Sequence, residues 1–353
     1  MKLPVLTSTV ILALASPTWA SSPQPPNPAG PNCHIVQVAE SSNAGKSYRQ
    51  TSDQVLTSAS VPDAVIFKGQ KLIYYVNGDF DSHSIHVAAL SDDSRTATVR
   101  GPITLDGEII GDAVDPDLIV TDDGRLRLYY YVGMFTRPVR DPKPADFFSA
   151  ISDDGINFSV EGVVATVRGG TDPTVVRKRD GSYLLAIPQG ETMNIEIFES
   201  ADGRGFRRIG SLRGGIPELS LAEDGTVEIL FQDREGIRKL VSTDGGKSWT
   251  KAATNVLKGA AKGVASPSVI RLDEKRRTMF YFKAREGCST PPTAYLTDKN
   301  ALLPNAGHAG QAKGKPPLGD GVEPGAPRPR KPGSAKGEPP LGHGVQPGGT
   351  PRN

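Results

Sequence analysis

Short apolar runs that begin beside a proline recur along this chain, and each is followed by a turn and a second, aromatic-rich run. The first runs read "VPDAVIF" from Val61, "DPDLIV" from Asp115, "DPTVVR" from Asp172, "IPELSL" from Ile216 and "SPSVIR" from Ser266. Their partners read "KGQKLIYYV", "DDGRLRLYYYV", "RDGSYLLAI", "EDGTVEILF" and "DEKRRTMFYF". Runs this short, built from β-branched and aromatic residues and joined by Gly or Asp turns, predict β-hairpins. The prolines stand at 62, 116, 173, 217 and 267, a repeat of about fifty residues.

A second phrase alternates with the first: "SDDGINF" from Ser152, "SADGRGF" from Ser200 and "STDGGKSW" from Ser242, with a weaker "SDDS" from Ser91. In Ser-x-Asp-Gly-x-x-aromatic, with one more residue before the second glycine in the third copy, the serine and aspartate bond the turn backbone while the aromatic packs inward. Asp92, Asp93, Asp154, Asp202 and Asp244 are therefore structural. A degenerate copy, "SSNAGKSY" from Ser41, stands as far ahead of Pro62 as Ser152 stands ahead of Pro173.

The series thus begins with a turn phrase and ends on a proline phrase. Read as a ring, an N-terminal strand completes the last four-stranded unit. Four strands per unit, repeated five times with no helical period between them, predict an all-β, five-bladed β-propeller over 33–302. A pair of β-sandwiches would explain neither the common period nor the offset of the two phrases. Cys33 and Cys288 fall where the ends meet; a disulfide is the simplest reading, two separate buried thiols the alternative.

The ends of the chain add a compartment. Residues 1–20, "MKLPVLTSTVILALASPTWA", have the order of a secretory signal peptide, and 21–32 form a Pro-rich leader. The expected product is secreted or periplasmic, with no membrane span and a monomeric state. Residues 303–353 are rich in Gly, Pro and basic residues and carry the phrase "KGKPPLGDGVEPG" and its near copy "KGEPPLGHGVQPG". With so little apolar surface to bury, they predict a disordered tail. A formal net charge of +2 gives no pull toward nucleic acid.

In a propeller the first strand of each blade lines the central channel, so the repeated proline marks a ring of residues at one mouth. Before it stand Val61, Asp115, Asp172, Ile216 and Ser266; after it stand Asp63, Asp117, Thr174, Glu218 and Ser268. Like charges gathered in this way need protonation, a partner or a cation. Clustered carboxylates with raised proton affinity suit glycoside hydrolysis, which uses one as an acid and another as a base. A calcium ion near Asp115, Asp117 and His86 is the other candidate use of the ring. His83 and His86, in "DSHSIHV", are otherwise expected on one strand of the first blade, in packing roles.

With these residues in place the chain resembles, over roughly 33–300, the five-bladed glycoside hydrolases of the family 43 and family 32 type. That superfamily puts an Asp in the first blade, an Asp-Pro phrase in a middle blade and a Glu in the next. The resemblance implies Asp63 as base, Glu218 within "PELS" as acid and Asp172 within "TDPT" as the group that tunes and orients Glu218, with inversion at the sugar. Val61 stands before the first-blade proline, where family 43 has its aspartate, so Asp115 and Asp117 are rival bases. The turn phrase resembles the Asp box of sialidases, which need three arginines; Arg168, Arg234 and Arg285 are the candidates. The expected partner is a carbohydrate, no cofactor is required, and a non-catalytic glycan- or envelope-binding propeller is the alternative to an enzyme.

Overall fold

The computed structural model describes residues 30–78, 83–133, 144–189, 192–233, 236–251, 255–258 and 264–288. The expected signal peptide (1–20), nearly all of the leader and the tail (303–353) lie outside them. Strands β1 (His34–Ser41) and β2 (Arg49–Thr57) come first in the described chain and belong to the last sheet. Strands β3 (Ala59–Phe67), β4 (Gln70–Asn77), β5 (Ile85–Leu90) and β6 (Ala97–Pro102) form the first blade in sequence order. The hairpin between β3 and β4 turns on Lys68 and Gly69, both at positive φ (48° and 77°), the conformation a two-residue hairpin loop demands.

The second blade holds β7 (Thr104–Leu105), β8 (Ala113–Val120), β9 (Leu126–Val132), β10 (Pro144–Ser152) and β11 (Asn157–Arg168). It departs from the expected four strands, because β7 adds a fifth, parallel to the outer strand β11. The third blade is β12 (Thr174–Arg177), β13 (Tyr183–Gln189), β14 (Asn194–Ser200) and β15 (Arg207–Arg213). The fourth is β16 (Pro217–Leu221), β17 (Val227–Asp233), β18 (Gly236–Ser242) and β19 (Thr250–Lys251), with β20 (Leu257–Lys258) also paired to β18.

The fifth blade closes the circle. Its inner strands β21 (Val264–Arg271) and β22 (Arg277–Ala284) come from the end of the described chain, and β1 pairs antiparallel with β22 from His34↔Ala284 to Ser41↔Arg277. Cys33 and Cys288 form a disulfide across this seam, with Cα atoms 5.5 Å apart. The fold is an all-β, five-bladed propeller.

Each junction between blades has its own apolar core, which explains the long apolar runs in the second strands. In β9, Leu128 and Tyr130 pack toward the first blade with Leu72, Tyr74 and Phe67, while Tyr129 and Tyr131 pack toward the third with Val175, Leu185 and Ile187. Successive side chains leave a strand on opposite faces. A sheet covered on both faces therefore needs apolar residues at every position.

The turn phrases lie at the blade edges and link neighbours. In the copy at 152–158 the Ser152 hydroxyl donates to Asp154 Oδ1 (3.0 Å) and accepts from the Gly155 N–H (2.9 Å), while Asp154 Oδ1 accepts from the Ile156 N–H (2.8 Å). Ser200 with Asp202 and Ser242 with Asp244 repeat the serine–aspartate bond. The preceding blade then grips the turn: Tyr74 Oη donates to the Gly155 carbonyl (2.7 Å), Tyr129 Oη to that of Gly203 (2.9 Å) and Lys239 Nζ to that of Gly45 (3.2 Å).

Candidate active site in the central channel

The innermost strands β3, β8, β12, β16 and β21 run in one direction around the channel. Four of the five residues before the prolines take a left-handed backbone: Val61 (φ 45°), Asp115 (54°), Asp172 (42°) and Ser266 (49°). That conformation is strained for any residue but glycine, and most for a β-branched valine. Strand pairing slips at the same points, between Ser60 and Asp63, Val114 and Asp117, and Ala265 and Ser268. A bulge at the proline re-aims side chains. Residues on both sides of it consequently line the channel at two levels, where the sequence alone suggests a single ring.

The lower level is a closed circle of hydrogen bonds. Each post-proline side chain accepts the backbone N–H one residue further along in the next blade. Asp63 Oδ2 accepts from Leu118 (2.7 Å), Asp117 Oδ1 from Val175 (2.9 Å) and Thr174 Oγ1 from Leu219 (3.0 Å). Glu218 Oε1 accepts from Val269 (3.1 Å), and Ser268 Oγ returns to the first blade by accepting from Ala64 (3.0 Å). Two hydroxyls bond within the circle as well: Ser268 donates to Asp63 Oδ1 (2.7 Å) and Thr174 to Glu218 Oε2 (3.3 Å).

Asp63, Asp117 and Glu218 each place an oxygen within 4.8 Å of the other two, and all three are buried. Such a set of hard oxygen donors can hold a divalent cation such as calcium. Among the described residues none of these carboxylates has a lysine, arginine or histidine in an ion pair. Burial raises the proton affinity of Asp63 to about 7 against the bonds from Ser268 and the backbone. Asp117 is pushed well above the usual range by burial and then by the charge of Asp63, and Glu218 by burial and then by Asp63 and Asp117.

Asp115 and Asp172 occupy the upper level. Asp115 Oδ2 accepts the Asp172 N–H (3.2 Å), and both side chains are buried. Burial raises Asp172 to about 6; burial and the Asp172 charge hold Asp115 well above its ordinary value. Val61, Ile216 and Ser266 complete this level. The Ser266 hydroxyl, in a residue only 4% exposed, has no hydrogen-bond partner and borders the same small space as Asp63, Asp117, Asp172 and Glu218.

The channel is narrow at the proline end and wide at the other. The space among the prolines and the two rings is about 20 Å³, enough for one water or one ion. Beyond Asp63, Asp117 and Glu218 it widens to about 330 Å³ between the downstream halves of all five inner strands.

Of the residues proposed from sequence, Asp63, Asp117 and Glu218 come together, and Asp115 and Asp172 form a second pair above them. Burial and then the charges of Asp63 and Asp117 raise the proton affinity of Glu218, while Asp172 borders the same narrow space from the upper level. His86 stands on the third strand of the first blade, its ring 5.9 Å from that of Tyr75, and borders neither channel space. His83 precedes β5 rather than lying on it, buried with Nδ1 3.0 Å from the Asn77 carbonyl. Arg168 ends β11 and Arg285 follows β22, donating to Cys288 Sγ; neither borders the channel, and Arg234 lies outside the described residues. Sequence reasoning placed Thr174, Ser266 and Ser268 in the rings but gave them no task; the hydroxyl bonds and the lone Ser266 Oγ depend on contacts between blades.

No family model matches this sequence, and no curated protein does. Among solved structures the chain is similar to α-L-arabinofuranosidase from Lactobacillus brevis, at 15% identity over 67% of this chain and 87% of that one, with a TM-score of 0.50. It is also similar to a family 117 glycoside hydrolase from Zobellia galactanivorans, at 14% identity over 75% of this chain and 94% of that one, with a TM-score of 0.48. An endo-arabinase from Bacteroides thetaiotaomicron gives 17% identity over 65% and 90%, with a TM-score of 0.47. At this distance the likeness is one of fold.

Proposed function

We propose that this chain is an exported glycoside hydrolase whose acid–base chemistry is carried by the channel carboxylates. The observation that carries the reading is a set of buried, uncompensated carboxylates whose proton affinities reach the neutral range, Asp172 at about 6 and Asp63 at about 7. A catalytic acid and base work best with affinities near the working pH. The propeller shared with the L. brevis arabinofuranosidase supports a carbohydrate as substrate.

In this reading Glu218 is the acid, kept protonated by burial and by Asp63 and Asp117, and Asp63 is its carboxylate partner. Their oxygens lie within 4.8 Å. Retaining enzymes hold the two carboxyls about 5–5.5 Å apart and inverting ones about 6.5–9.5 Å, with room for a water. The 4.8 Å bounds the approach of one oxygen from each group and is compatible with either spacing, so inversion stays the expected course. Asp172 and Asp115 set the charge above the pair.

The closed hydrogen-bond circle favours a second reading, a glycan-binding propeller without catalysis, because every post-proline carboxylate already serves to join blades. The test is release of reducing sugar from arabinan, xylan, fructan and sialylated glycans by wild type, Asp63→Asn and Glu218→Gln. Both variants keep an acceptor oxygen for the next blade. The hydrolase reading expects activity to fall at least about 100-fold in each, with the product anomer inverted as read by NMR. No turnover of any glycan, alongside retention of one on an affinity gel, would make the protein a binder.

A further inference from the structure

We propose that the disulfide at the seam is a thiol–disulfide exchange site, opened at Cys288 by a dithiol reductant whose attacking thiolate is drawn in by Arg285. The two sulfurs are unequally placed. Cys33 is fully buried at the end of a short 3-10 turn, Pro31–Cys33, whereas Cys288 is partly exposed. Exchange needs access to the sulfur that is attacked, so the attack falls on Cys288. Arg285 Nη2 donates to Cys288 Sγ (3.3 Å), and among the described residues no carboxylate pairs with that guanidinium. A disulfide sulfur is a weak acceptor, so the contact gives the resting bond little. Its full worth appears when a thiolate approaches that sulfur or forms on it.

The step balances with the dithiol as the source of two electrons. Its thiolate attacks Cys288 Sγ, the bond to Cys33 breaks, and the electron pair leaves on Cys33 Sγ, to which Asn32 Nδ2 donates (3.5 Å). The second thiolate of the reductant then attacks the reductant's own sulfur in the mixed disulfide and releases Cys288 as a thiolate beside Arg285. The reductant departs as a disulfide, and its two protons end on the two cysteines. The consequence reaches the channel, because the bond fastens the fifth blade. That blade supplies Ser268, which accepts the Ala64 N–H and donates to Asp63, and the Val269 N–H that Glu218 accepts. Reduction slackens the lower ring at these joints and leaves those at Leu118 and Val175 in place.

The experiment exposes the folded protein, without denaturant, to reduced glutathione and separately to dithiothreitol, with acid quenching and peptide mapping by mass spectrometry. The proposal expects the glutathione adduct on Cys288 with a free thiol at Cys33. Dithiothreitol is expected to free both thiols, and oxidation to restore the bond. Arg285→Gln keeps the backbone N–H that donates to the Cys33 carbonyl (2.7 Å), so its unfolding midpoint should be unchanged. It is expected to slow reduction about threefold at low salt, a difference that Arg285→Lys largely removes and molar salt erases. In hydrogen exchange the reduced protein should lose protection at Ala64 and Val269 before Leu118 and Val175. An adduct on Cys33, reduction only where denaturant unfolds the chain, equal rates for wild type and Arg285→Gln, or uniform loss of protection around the ring would overturn the proposal. Sugar release is not a readout, so the exchange site stands or falls apart from the hydrolase.

Discussion

Gly155 shows how closely a single position is constrained. Its φ of 77° is left-handed, and a Cβ there would stand 2.8 Å from Tyr74 Oη, which donates to the Gly155 carbonyl. Gly155→Ala is expected to cost about 1–3 kcal/mol in urea unfolding. Tyr74→Phe alone is expected to cost about 1 kcal/mol for the lost bond. The double variant should cost less than the sum, because removing the hydroxyl makes room for the methyl. The channel carboxylates set a pH dependence of opposite sign to that of ordinary salt-bridged acids. Asp63 and Asp172 bind protons more tightly in the folded protein than in the unfolded chain, at about 7 and about 6. Their stabilisation is fully present below about pH 4 and is lost as pH rises through those values. Melting temperature is expected to fall between pH 5 and pH 8, and Asp172→Asn is expected to flatten the lower part of that fall.

At the scale of strands, the inner five are joined through side chains rather than through a continuous sheet. Asp117 tests whether the joint needs a charge or only an acceptor. Asp117→Thr keeps an oxygen for the Val175 N–H and is expected to leave the denaturation midpoint unchanged or raised. Asp117→Ala strands that buried N–H and is expected to lower stability by about 1–3 kcal/mol. Much of this architecture was legible in the sequence. The proline phrases marked all five inner strands, and the aromatic-rich runs after them, Tyr129, Tyr130 and Tyr131 among them, marked their hairpin partners. Strand β7 was not legible, because Thr104 and Leu105 are too short a pair to carry a period. Nor was the division of the carboxylates into two levels, since it arises from left-handed bulges at Val61, Asp115, Asp172 and Ser266 that plain strand alternation does not contain.

For the whole molecule, closure rests on the pairing of β1 with β22 and on the disulfide, which spans a sequence separation of 255 residues. A crosslink over so long a loop restricts the unfolded chain strongly, by about 5 kcal/mol in the chain-entropy model. Cys33→Ser with Cys288→Ser, or the wild type under reductant, is expected to show a large drop in the guanidinium midpoint, read by tyrosine fluorescence. The last blade should then open before the others in hydrogen exchange, because it alone is assembled from both ends of the described chain.

The lower ring has a further consequence. The same joint is made by Asp in two blades, Glu in one, and Thr and Ser in the other two. What the architecture asks of these positions is an oxygen at the right reach, not an ion. The electrical character of the channel is thus decoupled from its carpentry: exchanging acids for hydroxyls would take the waist from ionisable to permanently neutral while every blade stayed seated. A scaffold arranged this way can drift between ligands of different charge without passing through an unfolded intermediate sequence.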